Sequence, residues 1–364
     1  MDYPARQKRL REDLLARRLD ALLISHLPNI RYLCGFSGSA AALLVASDGS
    51  TLFTDGRYTQ QAKAEVKAAG IRIVRTGPLN SAVEWLGRRR SSNRGKGINL
   101  GIEGQYLTVS ARRALAKVQG KSIRIREAPD LVERARMVKD AGEIALIRSA
   151  VTLGAALFDR ALQAIRPGVR EVEVAAEMEY AARKGGADGM AFDTIVAAGP
   201  RSALPHGRAS EAAIAPDGFV VCDFGVILHG YCSDRTRTVY VGAATGEARR
   251  VYEAVLSSQQ AAIAAVRPGA EVRRVDGAAR KTLQKHGLAQ YFTHSTGHGV
   301  GLEIHESPRV ARGQQEILRP GMVITIEPGV YLPGQWGVRI EDMVVVTEQG
   351  CEVLSPTQKE FIVI

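Results

Sequence analysis

Four carboxylates sit inside strongly apolar, strand-forming text, and no other feature constrains this chain as tightly. Asp223 and Asp234 lie in FVVCDFGVILHGYCSDRTRTVYV, while Glu327 and Glu341 lie in GMVITIEPGVYL and GVRIEDMVVV. A buried carboxylate costs several kcal/mol unless it is paired or bound to a metal. The first segment reads as two β-runs around a turn near Leu228 to Gly230. Residues an odd number apart in such a pair can lie opposite each other on one face, which places Asp223 and Asp234 in a single site. The second segment repeats the arrangement, with one acid in each strand.

The repeat extends to what precedes each strand pair. An Ala-rich helix ends in Ile165-Arg166-Pro167-Gly168 and leads to a helix bearing Val172 and Val174. About a hundred residues on, another ends in Val266-Arg267-Pro268-Gly269 and leads to a helix bearing Val272 and Val275. His206 and His305 fall into the same register. The pattern describes two similar halves, each bringing a carboxylate pair and a histidine to a shared seam.

A length of 364 residues exceeds one ordinary core and calls for two domains. The early text alternates apolar runs (ALLIS, AALLVA, STLFT, IRIVR, GINLGIEG) with helical stretches, the pattern of an α/β domain. Near Met137 the text changes, and Asp140 followed by Glu143 forms a capping box before helical spacing from Ile144 to Phe158. The expected division is 1–135 and 136–364, and the expected class is α+β.

With 45% hydrophobic and 24% charged residues the chain reads as an ordinary globular protein, and no apolar run approaches the roughly 20 residues that span a bilayer. A net charge of +11 invites a nucleic-acid reading. The basic residues are mostly dispersed, however, and the dense run RRRSSNRGKG, residues 88–97, reads as a solvated loop. Neither a nucleic acid nor a membrane is expected as a partner. Cys34, Cys222, Cys232 and Cys351 lack CxxC spacing, and MDYPARQKRL lacks the apolar core of a secretory signal, so a reducing cytoplasm is the expected location.

Two divalent cations would neutralise the four acids. An oxygen-rich ligand set with an imidazole favours manganese first, with cobalt, iron or zinc as alternatives. THSTGHGVGLEIHESP holds His294, His298 and His305, and Gly297, Gly299 and Gly301 exclude a regular helix there. The residues alone leave open which histidine coordinates. Asp223-Phe224-Gly225 is not a kinase motif, since no HRD-type catalytic loop accompanies it.

The motifs GPRSALPHG, CDFG, YCSDRTRT, STGHGVGLEIHE, TIEPGVY and VRIED, in that order, resemble the pita-bread metallopeptidases, the group of methionyl aminopeptidase, Xaa-Pro aminopeptidase, prolidase and creatinase. The resemblance implies a pita-bread catalytic domain in which Asp223, Asp234, His298, Glu327 and Glu341 hold two metals. Creatinase shares the fold without the metals, and retention of every ligand position argues against that branch. By the same resemblance Glu327 shuttles a proton, His206 and His305 steady the scissile amide, and Arg339 orients the carboxylates. His294 and Tyr331 would line a proline pocket.

NIRYLCGFSGSAAALLVASDG and LFTDGRYTQQA are similar to the amino-terminal domain of Xaa-Pro aminopeptidases and prolidases, which implies a homodimer or higher oligomer through that domain. TDGRY tilts the reading to an Xaa-Pro aminopeptidase acting on peptides with proline in second position. Arg309, in HESPR, sits where prolidases bind the free carboxylate of a dipeptide, so the Xaa-Pro dipeptidase is the alternative. A non-catalytic peptide binder and chemistry on a non-peptide substrate remain as further classes.

Overall fold

The computed structural model describes residues 1–91, 97–355 and 357–364. The chain divides into two compact units, Met1–Arg136 and Met137–Ile364.

In the first unit the strands are β1 (Ala21–Ile24), β2 (Ala41–Ala46), β3 (Gly49–Asp55), β4 (Gly70–Val74), β5 (Ile98–Ile102) and β6 (Ile123–Glu127). They form one sheet in the order β4-β3-β2-β1-β5-β6, parallel except where β2 meets β1 and β3. The central strand ALLI is buried at every position, as a strand covered on both faces must be. Helices α1 (Tyr3–Ala16), α2 (Leu27–Cys34), α3 (Thr59–Glu65), α4 (Pro78–Ser91), α5 (Val109–Val118) and α6 (Leu131–Arg136) complete the α/β unit. The last strand, IRIRE, was not foreseen; its alternation of Ile with charged residues marks a sheet edge. The basic run also differs from expectation. Its first residues continue α4, where Arg88 pairs with Glu84 one turn back at 3.2 Å, while residues 92–96 lie outside the described residues.

The second unit opens on α7 (Ala141–Ala164). Its start is the capping box read from the sequence: Glu143 N donates to Asp140 Oδ1 at 2.9 Å and Asp140 N to Glu143 Oε2 at 3.0 Å. Contrary to expectation, α7 is long and apolar enough to cross a bilayer by length and composition. Those apolar residues serve the interior, since Ile147, Ala150, Val151, Leu157 and Phe158 are buried, and Arg148 on the same helix reaches Glu352 at 2.7 Å.

After α8 (Glu171–Lys184) come β7 (Gly189–Met190), β8 (Ile195–Ala198), β9 (Gly218–Phe224), β10 (Val226–Leu228), β11 (Tyr231–Cys232) and β12 (Arg235–Val241). The second half repeats the plan with α9 (Gly246–Ala265), α10 (Val272–Lys285), β13 (Gly297–Gly299), β14 (Glu306–Val310), β15 (Val323–Ile326), β16 (Gly329–Leu332), β17 (Trp336–Arg339), β18 (Asp342–Val346) and β19 (Cys351–Val353). Each half has its own core. Leu157, Phe158, Val174, Met178, Val220 and Phe224 pack together in one, and Tyr252, Val255, Val272, Val275, Ile324 and Val344 in the other.

Both acid-bearing hairpins are broken midway. β9 pairs with β12 while β10 pairs with β11, and β15 pairs with β18 while β16 pairs with β17. In the first ribbon the break falls at Gly225, where a Cβ would lie 2.0 Å from Ser233 O. In the second it falls at Pro328, which has no N–H to give to a ladder. The acids stand at these breaks.

Candidate metal centre

Asp223, the penultimate residue of β9, lies opposite Thr236, and continuing the register puts Asp234 opposite Gly225. The two aspartates are thus diagonal neighbours on one face of the ribbon, not directly opposed as the spacing suggested. Glu327 follows β15 and Glu341 precedes β18, and continuing that register sets these two directly opposite each other. His298 comes from β13, whose glycines are demanded by close strand approach: a Cβ on Gly297 would meet Thr325 O at 1.9 Å and one on Gly299 would meet Ser307 O at 2.3 Å.

Asp234, His298 and Glu341 each offer a ligand atom within 4.8 Å of the others. His298 Nε2 stands 3.4 Å from Asp234 Oδ2 and 3.5 Å from Glu327 Oε1. Its Nδ1 faces Gly299 O at 3.0 Å, the backbone contact that leaves Nε2 free to coordinate. Glu341 Oε2 accepts from Thr236 Oγ1 at 2.9 Å, but Glu341 Oε1 and Asp223 Oδ1 are buried with no partner among the described residues. Burial, then mutual repulsion, pushes the Glu341 carboxyl well above the usual range. Burial likewise raises Asp234 and Glu327, against the pull of His298. Burial draws His298 down, yet Asp234 and Glu327 outweigh it and hold the imidazole up to about 9. Orphaned oxygens and crowded acids that resist ionising together are what divalent cations relieve, so the donor set fits the metals.

Arg339 ties the site together. Its Nη2 donates to Asp223 Oδ2 at 2.6 Å, its Nε to Thr236 Oγ1 at 3.0 Å, and its Nη1 to Tyr331 OH at 2.6 Å and Pro205 O at 3.1 Å. Tyr331 OH also meets His294 Nε2 at 2.9 Å, so this buried phenol links His294 to Arg339. Burial, then Arg339, pulls His294 from 6.5 down to about 4. Its folded value lies below the unfolded one, so it costs stability as pH falls through that window and nothing above it. The loss is at most about 3 kcal/mol. His294→Gln is expected to flatten the pH dependence of the urea midpoint between pH 6.5 and 4 relative to the wild type.

His206 and His305 are exposed, and the His305 ring lies edge-on to His298 with centroids 4.4 Å apart. His206 contributes to the field that lowers both His294 and His305. Exposed imidazoles beside a buried acidic cluster can donate to a substrate carbonyl. His206→Ala is expected to keep its bound metal and lose about 10²–10³ in kcat, the scale of one lost oxyanion donor, with metal content and rate measured on the same sample.

Two positioning groups escaped the sequence reading. Glu171, fully buried, accepts from Ala198 N, Arg201 Nε, Ser210 N and Ser210 Oγ, and so staples both ends of the segment carrying His206. In the other half Asp276 accepts from Thr296 Oγ1 and Arg280 Nε, while Arg280 donates to Phe292 O and His294 O. The available signal was an acid on the second helix after each RPG.

Four carboxylates and one imidazole, buried or half-buried and rimmed by exposed histidines, form a candidate metal centre of the kind that metal-dependent hydrolases use. Residues 145–348 match metallopeptidase family M24, and residues 6–138 match the creatinase/prolidase N-terminal domain. The chain belongs to metallopeptidase family M24. It is 36% identical over 358 residues to an Xaa-Pro dipeptidase of Pyrococcus horikoshii, covering 98% of each chain. It is 38% identical over 351 residues to the uncharacterized peptidase YqhT of Bacillus subtilis, covering 95% of this chain and 96% of that one. Among solved structures it is similar to an Xaa-Pro dipeptidase from Bacillus anthracis (TM-score 0.94, 36% identity, 100% of both chains). It is also similar to an X-Pro aminopeptidase from Thermotoga maritima (TM-score 0.88, 37% identity, 99% of this chain and 100% of that one).

Proposed function

We propose that this M24 peptidase is an Xaa-Pro dipeptidase working with two divalent ions, manganese foremost, held by Asp223, Asp234, His298, Glu327 and Glu341. The observation that carries the dipeptide reading is Arg309. Its Cα pairs with that of His298 across β13 and β14, so both side chains leave the same face, and the exposed Arg309 has no partner among the described residues. A free guanidinium beside the centre suits the carboxylate of a C-terminal proline. The two Xaa-Pro dipeptidases named above support this reading over the aminopeptidase that TDGRY suggested.

When bound, the ions polarise the scissile carbonyl and acidify the attacking water. Glu327 takes the proton of that water and passes it to the proline nitrogen as the C–N bond breaks, leaving a free amino acid and proline. His206 and His305 donate to the carbonyl oxygen, Arg339 holds Asp223 in place, and His294 with Tyr331 borders the proline ring. Assembly through the first unit and a cytoplasmic location belong to the same proposal; the buried thiols Cys34, Cys222 and Cys232 suit a reducing compartment.

Manganese-loaded protein is expected to cleave Xaa-Pro dipeptides and to leave Xaa-Pro-Yaa tripeptides largely intact. Turnover of the tripeptides with none of the dipeptides would establish the aminopeptidase instead. Arg309→Ala should cut kcat/KM on dipeptides by about 10²-fold, the value of a lost charge-assisted pair, without a matching loss on tripeptides. Lysine at this position should not restore it, because the planar fork is absent.

A further inference from the structure

From Asp234 into β12 the side chains alternate between the two faces of the ribbon. Asp234 and Thr236 turn toward the metal centre, and Arg235 and Arg237 turn away. On that far side three cations gather around one carboxylate. Arg237 bonds Asp342 Oδ1 at 2.8 Å, and Lys359 pairs with Asp342 Oδ2. Arg237 also donates to Thr357 Oγ1 at 2.9 Å, so its guanidinium is well satisfied. Arg235 has none of this. It is 3% exposed, yet both Nη1 and Nη2 lack a hydrogen-bond partner among the described residues, and no carboxylate forms an ion pair with it there.

A buried carboxylate or lysine can shed its charge by a change of protonation, but a guanidinium cannot. Water would satisfy the two orphaned nitrogens and leave the charge uncompensated, the costlier of the two deficits. Asp342 already serves two cations, of which Lys359 is a quarter exposed and screened by solvent. Asp342, Glu341 and Asp159 attract Arg235 through space, but none reaches ion-pair distance among the described residues, so its guanidinium has no direct counter-ion. Its terminal nitrogens are closed off, and its Cα partner Phe224 packs into the core against Phe158, so only a compact ligand fits. We infer that Arg235 forms the base of a buried site for a small monovalent anion of the chloride type, set directly behind the strand that carries Asp234.

The test uses the purified, metal-loaded full chain, with ionic strength held constant by exchanging sodium gluconate for sodium chloride. The thermal midpoint of the wild type is expected to rise saturably by a few degrees with chloride. Arg235→Met fills the same space without the charge, so its midpoint should not respond to chloride and should not fall below that of the wild type in gluconate. Bromide-soaked wild-type crystals should show an anomalous peak at hydrogen-bond distance from the Arg235 guanidinium. A wild-type midpoint indifferent to chloride, an equal chloride response in Arg235→Met, or ordered water alone at the guanidinium would each overturn the assignment. The bromide measurement needs no variant and stands even where Arg235→Met fails to fold.

Discussion

Glu341→Ala is expected to lose both activity and metal while the fold survives. Glu341 is 1% exposed, its Oε1 has no protein partner among the described residues, and its neighbours Asp234 and His298 offer donors within 4.8 Å. Removing a residue one shell beyond a metal ligand typically costs about 10–100-fold in affinity or activity, so removing the ligand itself should cost more. The fold should persist because the lost carboxyl is itself a destabilised group: burial and three nearby acids push it well above its usual range, and alanine relieves that crowding. Metal content by elemental analysis, peptide turnover and circular dichroism on one preparation decide the matter. Full activity with normal metal content would end the two-ion proposal.

The second large effect is structural. Arg339 is 3% exposed and holds Asp223, Thr236, Tyr331 and Pro205 at once. Arg339→Met leaves the Asp223 carboxylate buried beside nothing that balances it. Breaking a buried pair by removing one member costs about 3–5 kcal/mol. For a unit of this size the melting temperature of metal-free protein should fall on the order of 10 °C. Arg339→Lys should recover little of this, since one ammonium cannot span acceptors that the planar fork reaches from three nitrogens. A near-normal melting temperature in Arg339→Met would show that Asp223 is held by other means.

The comparison between text and fold is clearest at the two ribbons. Their apolar content, the odd spacing of the aspartates and the repeated helices made the carboxylates legible as one site, because strand alternation and the cost of burying charge are local rules. The break in each ribbon was less legible. A glycine and a proline were visible, but only the facing strand shows that a Cβ at Gly225 would strike Ser233 O and that the ladder must re-pair beyond Pro328. The register, the same on both sides of the break, sets Asp223 opposite Thr236 and so makes the aspartates diagonal rather than directly opposed. The groups that position the site were hidden for a different reason: Glu171 and Asp276 accept from groups tens of residues away, as from Ala198 N and Thr296 Oγ1.

The sequence by itself determined the clustering of candidate ligands, the twofold repeat and the capped start of the second unit at Asp140, since each depends on residue chemistry at short spacing. It also held Arg309 and TDGRY in conflict without resolving them. Only the tertiary structure placed Arg309 on the His298 face, joined His294 to Arg339 through Tyr331, and exposed the missing counter-charge at Arg235. These are relations between segments far apart in the chain, and chain spacing carries no record of which side chains packing will bring together.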